Sequence, residues 1–369
     1  MDLSWNHSSQ IYVVASCRNE DSDLVAIGGE HSVEVLVVGK TACELIASFH
    51  VGTRITAIAW ASRSVSPTSS DEWFVELAAA GSDFSLVHLT KSSNEPENIF
   101  HFGGGLSGHH GKITGMSFCG GTGEDSARYV ATVSDDKMFM LWDLYPTHAV
   151  PSPRSSIGGS PSSQRIQPTA YPIAFPHPLT SIDSHPSTSK EFLVADCRGS
   201  IFLTDWRSDP ENDQDSWHHS SIVELADPHA LSDASMGLST HLTATAAWRR
   251  DTADIVGAVY GSKFSLWDIS NIHGGKPFAS DISFSQGGHQ FRWCYTYPEY
   301  FAISTQSPLK GAVLHVYNTG YVHAQPTQFE LGARPHFVRD FDFLASRGIP
   351  RLAAAVGRCV YIFPIGVES

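Results

Sequence analysis

Positive charge is scarce in this chain. Twenty-four Lys and Arg stand against 38 Asp and Glu in 369 residues, a formal net charge of −14. A nucleic-acid surface needs clustered cations, and the only adjacent basic pair is Arg249-Arg250. No direct nucleic-acid partner is expected. Cysteine is equally sparse: Cys17, Cys43, Cys119, Cys197, Cys294 and Cys359 never form a C-x-x-C pair. That spacing is read as six reduced, mostly buried thiols of an intracellular protein. No window approaches the roughly 18 apolar residues of a membrane span. The opening MDLSWNHSSQIYVV lacks the basic and long apolar regions of a secretory leader. Any membrane association is expected to come through a partner, with no direct insertion.

Enzyme signatures are missing too. There is no G-x-S-x-G elbow, and no paired carboxylates are placed for acid–base work. Nineteen His invite a metal hypothesis. The pairs His109-His110 and His218-His219 have no carboxylate or Cys at ligand spacing, and adjacent strand residues point to opposite faces. No metal, no cofactor and no catalytic residue is expected. The stretch GGGLSGHHGKITGM (103–116) resembles a phosphate loop only superficially. Such a loop needs Gly where Leu106 stands and Ser or Thr where Ile113 follows Gly111-Lys112. ITGMSF, bounded by Gly120-Gly121, reads instead as a buried strand.

What the chain does have is apolar content of 41%, charged content of 17%, nine Trp and twenty Phe. That is the composition of a well-buried globular protein. Its length exceeds the roughly 250–300 residues at which single cores stop growing, so two domains or a repeat architecture are required. A repeat is visible. GHHGKITGMSF followed by YVATVSDDKMFMLWD is the clearest unit. Weaker copies are ITAIAW with LAAAGSDFSLVHL (55–89), TSIDSHP with FLVADCRGSIFLTDW (180–206), and LTATAAW with IVGAVYGSKFSLWDI (242–269). FRWCYTYPEYFAIST with GAVLHVYN (291–318) adds another. IYVVAS, LVAIGG and SVEVLVV supply a first copy, and VRDFDF, RLAAAVG and CVYIFPI a last. Each copy holds three short strands and a variable fourth segment, the pattern of a WD40 blade of about 40–45 residues. The expected fold is all-β, a single seven-bladed WD40 β-propeller over 1–369, with degenerate repeats and long inter-strand loops. LSWNHSS (3–9) is expected to close the ring as outer strand of the last blade.

In the best copy, the spacing of His109, Thr132, Asp136 and Trp142 predicts a structural hydrogen-bond chain. Asp136 accepts from the imidazole, and the Thr132 hydroxyl links imidazole to indole. A catalytic reading, with Thr132 as nucleophile, fails because no substrate reaches the inside of a blade. In the copy ending at Trp267-Asp268, Gly261 occupies the place of Asp136. Such copies must lean on apolar packing. Residues 147–170 are rich in Pro, Ser and Gly, and read as a flexible surface insertion within one continuous propeller. Ser152 and Ser160, each followed by Pro, are candidate phosphorylation sites; an inert loop is the simpler alternative. SDPENDQDSWHH (208–219) reads as a second, acidic and solvated insertion, and CGGTGEDS (119–126) as a loop.

Seven segments, in order, resemble one family. They are LVAIGGEHSVEV (24–35), FHVGTRITAIAWA (49–61), LSGHHGKITGMSF (106–118), ATVSDDKMFMLWDL (131–144), FLVADCRGSIFLTDW (192–206), VGAVYGSKFSLWDI (256–269) and FRWCYTYPEYFA (291–302). Together they are similar to the small WD40-repeat nucleoporins, of about 37 kDa, of the Y-shaped outer-ring complex of the nuclear pore. The resemblance spans nearly the whole chain, departing at 62–73 and 147–170. It implies a non-enzymatic scaffold at the nuclear envelope, docked on a large helical nucleoporin in the short arm of the Y. It implies indirect support of protein and mRNA transport. The alternative is a substrate receptor of a cullin-type ubiquitin ligase. Such receptors often carry W-D-x-R, and here Trp142-Asp143 and Trp267-Asp268 both lack the Arg.

Overall fold

The computed structural model describes residues 3–146, 165–206, 222–225, 244–271 and 275–366. Its strands form seven four-stranded antiparallel sheets. Strand β1 (Leu3–Asn6) precedes blade 1, built from β2 (Val13–Ser16), β3 (Leu24–Gly28), β4 (Ser32–Val38) and β5 (Cys43–His50). Blade 2 comprises β6 (Ile55–Trp60), β7 (Phe74–Gly81), β8 (Leu86–Ser92) and β9 (Asn98–Phe102). Blade 3 comprises β10 (Ile113–Phe118), β11 (Tyr129–Ser134), β12 (Met138–Asp143) and β13 (Thr169–Ala174). Blade 4 follows with β14 (Leu179–Ser184), β15 (Glu191–Asp196), β16 (Ile201–Asp205) and β17 (Ile222–Leu225). Blade 5 has β18 (Ala244–Trp248), β19 (Ile255–Tyr260), β20 (Lys263–Asp268) and β21 (Ala279–Ile282). Blade 6 has β22 (Phe291–Trp293), β23 (Tyr300–Ser304), β24 (Ala312–Asn318) and β25 (Thr327–Gly332). Blade 7 takes β26 (Asp340–Phe343), β27 (Arg351–Val356) and β28 (Cys359–Pro364), and β1 completes it, pairing Leu3 with Ile362 and Asn6 with Cys359.

The core lies between blades. Seven apolar clusters are present, and each joins two neighbouring blades, the last joining blade 7 to blade 1. This explains why β3, β7, β11, β15, β19 and β27 read as continuous apolar runs: both of their faces meet another sheet. Small residues recur in them (Ala26, Ala79, Ala131, Ala195, Ala258, Ala354), all fully buried, and they let adjacent sheets approach where the blades converge. Outer strands such as β1 and β21 alternate between half-buried and exposed residues, as one-sided strands do.

An inner-strand device repeats from blade to blade. Thr56, Thr114 and Thr180 each sit at a β-bulge, the second residue of β6, β10 and β14. Their hydroxyls donate to backbone carbonyls. Thr114 donates to Leu179 O at 2.8 Å and Thr180 to Ala244 O at 2.6 Å, and Thr245 donates to His289 O at 2.7 Å, so each reaches the next blade. Thr56 stays within its own blade, donating to Ala80 O at 3.4 Å.

Three expectations are corrected. Residues 119–126 are not all loop: Glu124–Arg128 form a short helix, α1, with Glu124 and Asp125 at its start and Arg128 at its end, the polarity its dipole favours. The closing strand stops at Asn6, because the His7 ring turns in to meet the Ser9 amide at 3.0 Å and Glu34 at 3.3 Å. The 147–170 insertion is shorter than expected, since Thr169 and Ala170 already pair in β13 with Asp143 and Trp142. Residues 147–164, with Ser152 and Ser160, lie outside the described residues, as does 208–219. Cys17, Cys119 and Cys294 are buried, and Cys43, Cys197 and Cys359 are half-buried.

Candidate functional site

The hydrogen-bond chain anticipated in blade 3 has all four members in contact. Asp136 Oδ2 lies 3.0 Å from His109 Nδ1, and His109 Nε2 lies 2.8 Å from Thr132 Oγ1. Trp142 Nε1 donates to the same hydroxyl at 3.0 Å. Burial depresses the His109 pKa more than Asp136 raises it, so the ring is neutral. The consistent tautomer carries its proton on Nδ1, donates to Asp136 and accepts from Thr132. Asp136 also accepts from the amides of His110 and Met138, both at 2.9 Å. Thr132 is fully buried and Trp142 is 1% exposed, which leaves no room for a substrate.

The glycine-rich stretch ahead of His109 is a packing element. Gly103 has φ +64°, and a Cβ there would lie 2.9 Å from the Trp142 ring; one on Gly108 would lie 1.9 Å from Gly103 O. In blade 5 the chain is broken as expected, and Trp267 Nε1 donates to Gly275 O at 3.0 Å instead.

A central channel of about 1060 Å³ is lined by the inner strands. Its walls carry paired charges that sequence inspection did not find. Asp183 on β14 takes Arg18, and Arg250 at 3.0 Å, on one oxygen, and accepts from the Trp248 amide at 2.9 Å on the other. Burial pushes the Asp183 carboxyl up, but the two guanidiniums outweigh it and hold it below its usual range. On β26, Asp342 accepts from Tyr295 Oη at 2.6 Å and from the Ser16 amide at 3.0 Å. Asp340 accepts from the Val14 amide at 3.0 Å, with Arg292 at 3.8 Å. Thus blade 7 grips β2 of blade 1 by Asp340 and Asp342, and blade 4 grips β18 of blade 5 by Ser181 and Asp183. The sequence signal is the i, i+2 polar pair in DFDF and TSIDS, which puts both side chains on one face.

A second buried cluster joins blades 2 and 3. Glu76, fully buried on β7, binds Arg63 (Nη2 at 2.6 Å), His88 Nε2 at 2.7 Å and Tyr145 Oη at 3.0 Å. Burial raises its carboxyl, and His88 and Arg63 bring it back below the usual range. Arg165 donates to His88 Nδ1 at 3.0 Å and lies 4.2 Å from the Phe100 ring centre. Tyr145 meets the Glu76 carboxylate directly, and Arg165 meets it only through His88. The hint was a lone Glu in the apolar run FVELAAA. Among the described residues, no group of three or more His, Cys, Asp or Glu could hold a metal ion.

No protein-family model and no curated protein matched the chain. Among solved structures it is similar to the crystal structure of Chaetomium thermophilum Raptor, with TM-score 0.63 and 14% identity. The likeness covers 99% of this chain and 30% of that one, so the chain spans under a third of its neighbour's length. At this identity the likeness establishes the fold alone: a seven-bladed β-propeller, an architecture suited to a WD40-type interaction module.

Substitutions at two of these groups separate their roles. Thr132→Val leaves the Trp142 N–H and His109 Nε2 without partners, at a cost of about 2–4 kcal/mol; Thr132→Ser, which keeps the hydroxyl, costs less than half of that in chemical denaturation. Burial pushes Asp340 to about 6, above its ordinary 3.8, with Arg292 only partly opposing. Its contribution to stability is therefore full below pH 3.8 and lost as pH rises through about 6. Asp340→Asn should stabilise the protein at pH 7.5, on the order of 1–3 kcal/mol, with the gain vanishing near pH 4. Melting curves across that range check it.

Proposed function

We propose that the protein is a non-enzymatic scaffold subunit of the nuclear pore outer ring. It docks on a large helical nucleoporin in the short arm of the Y-shaped complex, at the nuclear envelope. It supports pore assembly and, through that, transport of protein and mRNA. The observation that carries the reading is the ordered set of seven segments resembling the small WD40 nucleoporins. They fall on the strands and turns of six consecutive blades, from LVAIGGEHSVEV on β3 and β4 to FRWCYTYPEYFA on β22 and β23. The resemblance therefore rides on the propeller framework.

Two features are consistent with a permanent assembly subunit. The buried polar groups of blade 3 hold its own strands together, and those of the channel hold neighbouring blades together, which suits a structural role. Asp281 on β21 meets His323 of blade 6 at 3.0 Å, and the joined elements expose Phe278 (56%), Ile282 (61%) and Tyr321 (74%). Apolar side chains grouped in this way are a property of interaction surfaces. The ligase-receptor reading is the alternative; what counts against it is the missing Arg of W-D-x-R after Trp142-Asp143 and Trp267-Asp268.

Gentle purification of the tagged protein from its own cells, with mass spectrometry of co-purifying chains, is the test. Stoichiometric recovery of large helical nucleoporins is expected. Recovery of a cullin adaptor, or of no stable partner, would overturn the assignment.

A further inference from the structure

One mouth of the channel is basic in an otherwise acidic protein. It is the end at which the inner strands begin. Arg54 directly precedes β6, Lys112 precedes β10 and Arg339 precedes β26, while Arg292 is the second residue of β22. Two of these side chains converge. The guanidiniums of Arg54 and Arg339 each lie 5.3 Å from the ring centre of Tyr12, and Arg339 also lies 4.7 Å from that of Phe337. Across the mouth, burial together with Arg292, Lys112 and Arg339 pushes His289 down to about 3. Among the described residues, Arg292 has Asp340 at 3.8 Å, whereas Arg54, Lys112 and Arg339 have no carboxylate within ion-pair distance. Two acids border these cations: Glu30, hydrogen-bonded to the Tyr12 hydroxyl, and Asp135, whose amide donates to Lys112 O at 3.1 Å.

Unmet hydrogen-bonding capacity lies at the same place. The Gln306 amide donates to His289 Nε2 at 2.7 Å, so the neutral ring carries its proton on Nδ1. Among the described residues, that buried N–H has no acceptor, and the neighbouring Gln290 Oε1, in the channel wall, has no donor. Arg54 and Arg339, packed on the same Tyr12 ring, repel one another, and an anion bound at the mouth relieves that repulsion. The aromatic faces of Tyr12 and Phe337 hold two guanidiniums in place beforehand, which lowers the ordering cost of binding.

From this geometry we propose that the mouth binds a short carboxylate-rich segment of a partner protein. A long polyphosphate is disfavoured, because beyond the mouth it would run over a chain of net charge −14. A few Asp or Glu side chains on an extended segment match the size of the basic patch. Such binding goes beyond the outer-ring role and does not depend on which assembly the protein joins.

The test uses the full-length protein and fluorescein-labelled hexaglutamate, with hexaglutamine as the uncharged control, in anisotropy titrations. Arg54 and Lys112 are exposed, so Arg54→Gln/Lys112→Gln should melt like the parent. Hexaglutamate should bind at least about tenfold more tightly than hexaglutamine, weaken as salt rises, and lose about tenfold in the double variant. Failure of hexaglutamate to bind at millimolar concentration, or undiminished binding by the double variant, would overturn the proposal. So would tighter binding of a hexauridylate RNA, which would assign the mouth to nucleic acid.

Discussion

Closure of the ring is the constraint on which every other contact relies. Six of the seven interblade layers form between blades that are neighbours in sequence, but the seventh must join blade 7 to blade 1 across the length of the chain. Three fastenings meet there. β1 pairs along β28. Asp340 and Asp342 hold the amides of Val14 and Ser16. Glu34 of blade 1 takes His7 at 3.3 Å and Trp5 Nε1 at 3.4 Å, drawing the closing strand onto its neighbour. Without this joint, β28 and the faces of two blades would be open edges and apolar surfaces.

The other interblade joints use different chemistry for the same purpose. Trp60 and Trp293 donate indole N–H groups to Ala15 O and Ala247 O of the preceding blade, at 2.9 and 3.0 Å. Thr114, Thr180 and Thr245 reach forward to carbonyls of the following blade. Blade 3 alone, among the described residues, carries the full His109–Thr132–Asp136–Trp142 set. Divergent sequences can thus share one architecture, because each joint needs only a side chain that meets a backbone donor or acceptor at the right height on the inner strand.

Much of this was legible in the sequence, and for physical reasons. Strands buried on both faces write themselves as apolar runs, and β10 to β12 combined such runs with the spacing of the blade 3 polar chain. Closure by the first strand was also legible, although it was expected over 3–9 and spans only Leu3–Asn6. The channel charges were hidden because their partners are far apart in sequence: Arg18 meets Asp183, and Tyr295 meets Asp342. Glu76 looked like an isolated polar residue until the fold brought Arg63, His88 and Tyr145 around it. The helix at Glu124–Arg128 was missed because glycines on one side of it dominate a short window. The basic mouth escaped notice for a related reason: one cation per blade makes no cluster in sequence, and only the ring brings them together.

Amide hydrogen exchange of the intact protein, followed on peptides from β1 and β28, tests the closure most directly. The structure requires the β1 amides that pair with β28 to exchange slowly, in step with β28, because both are released only when the ring opens. Rapid exchange of β1 with continued protection of β28 would contradict this, since the ring would then stay shut without its closing strand.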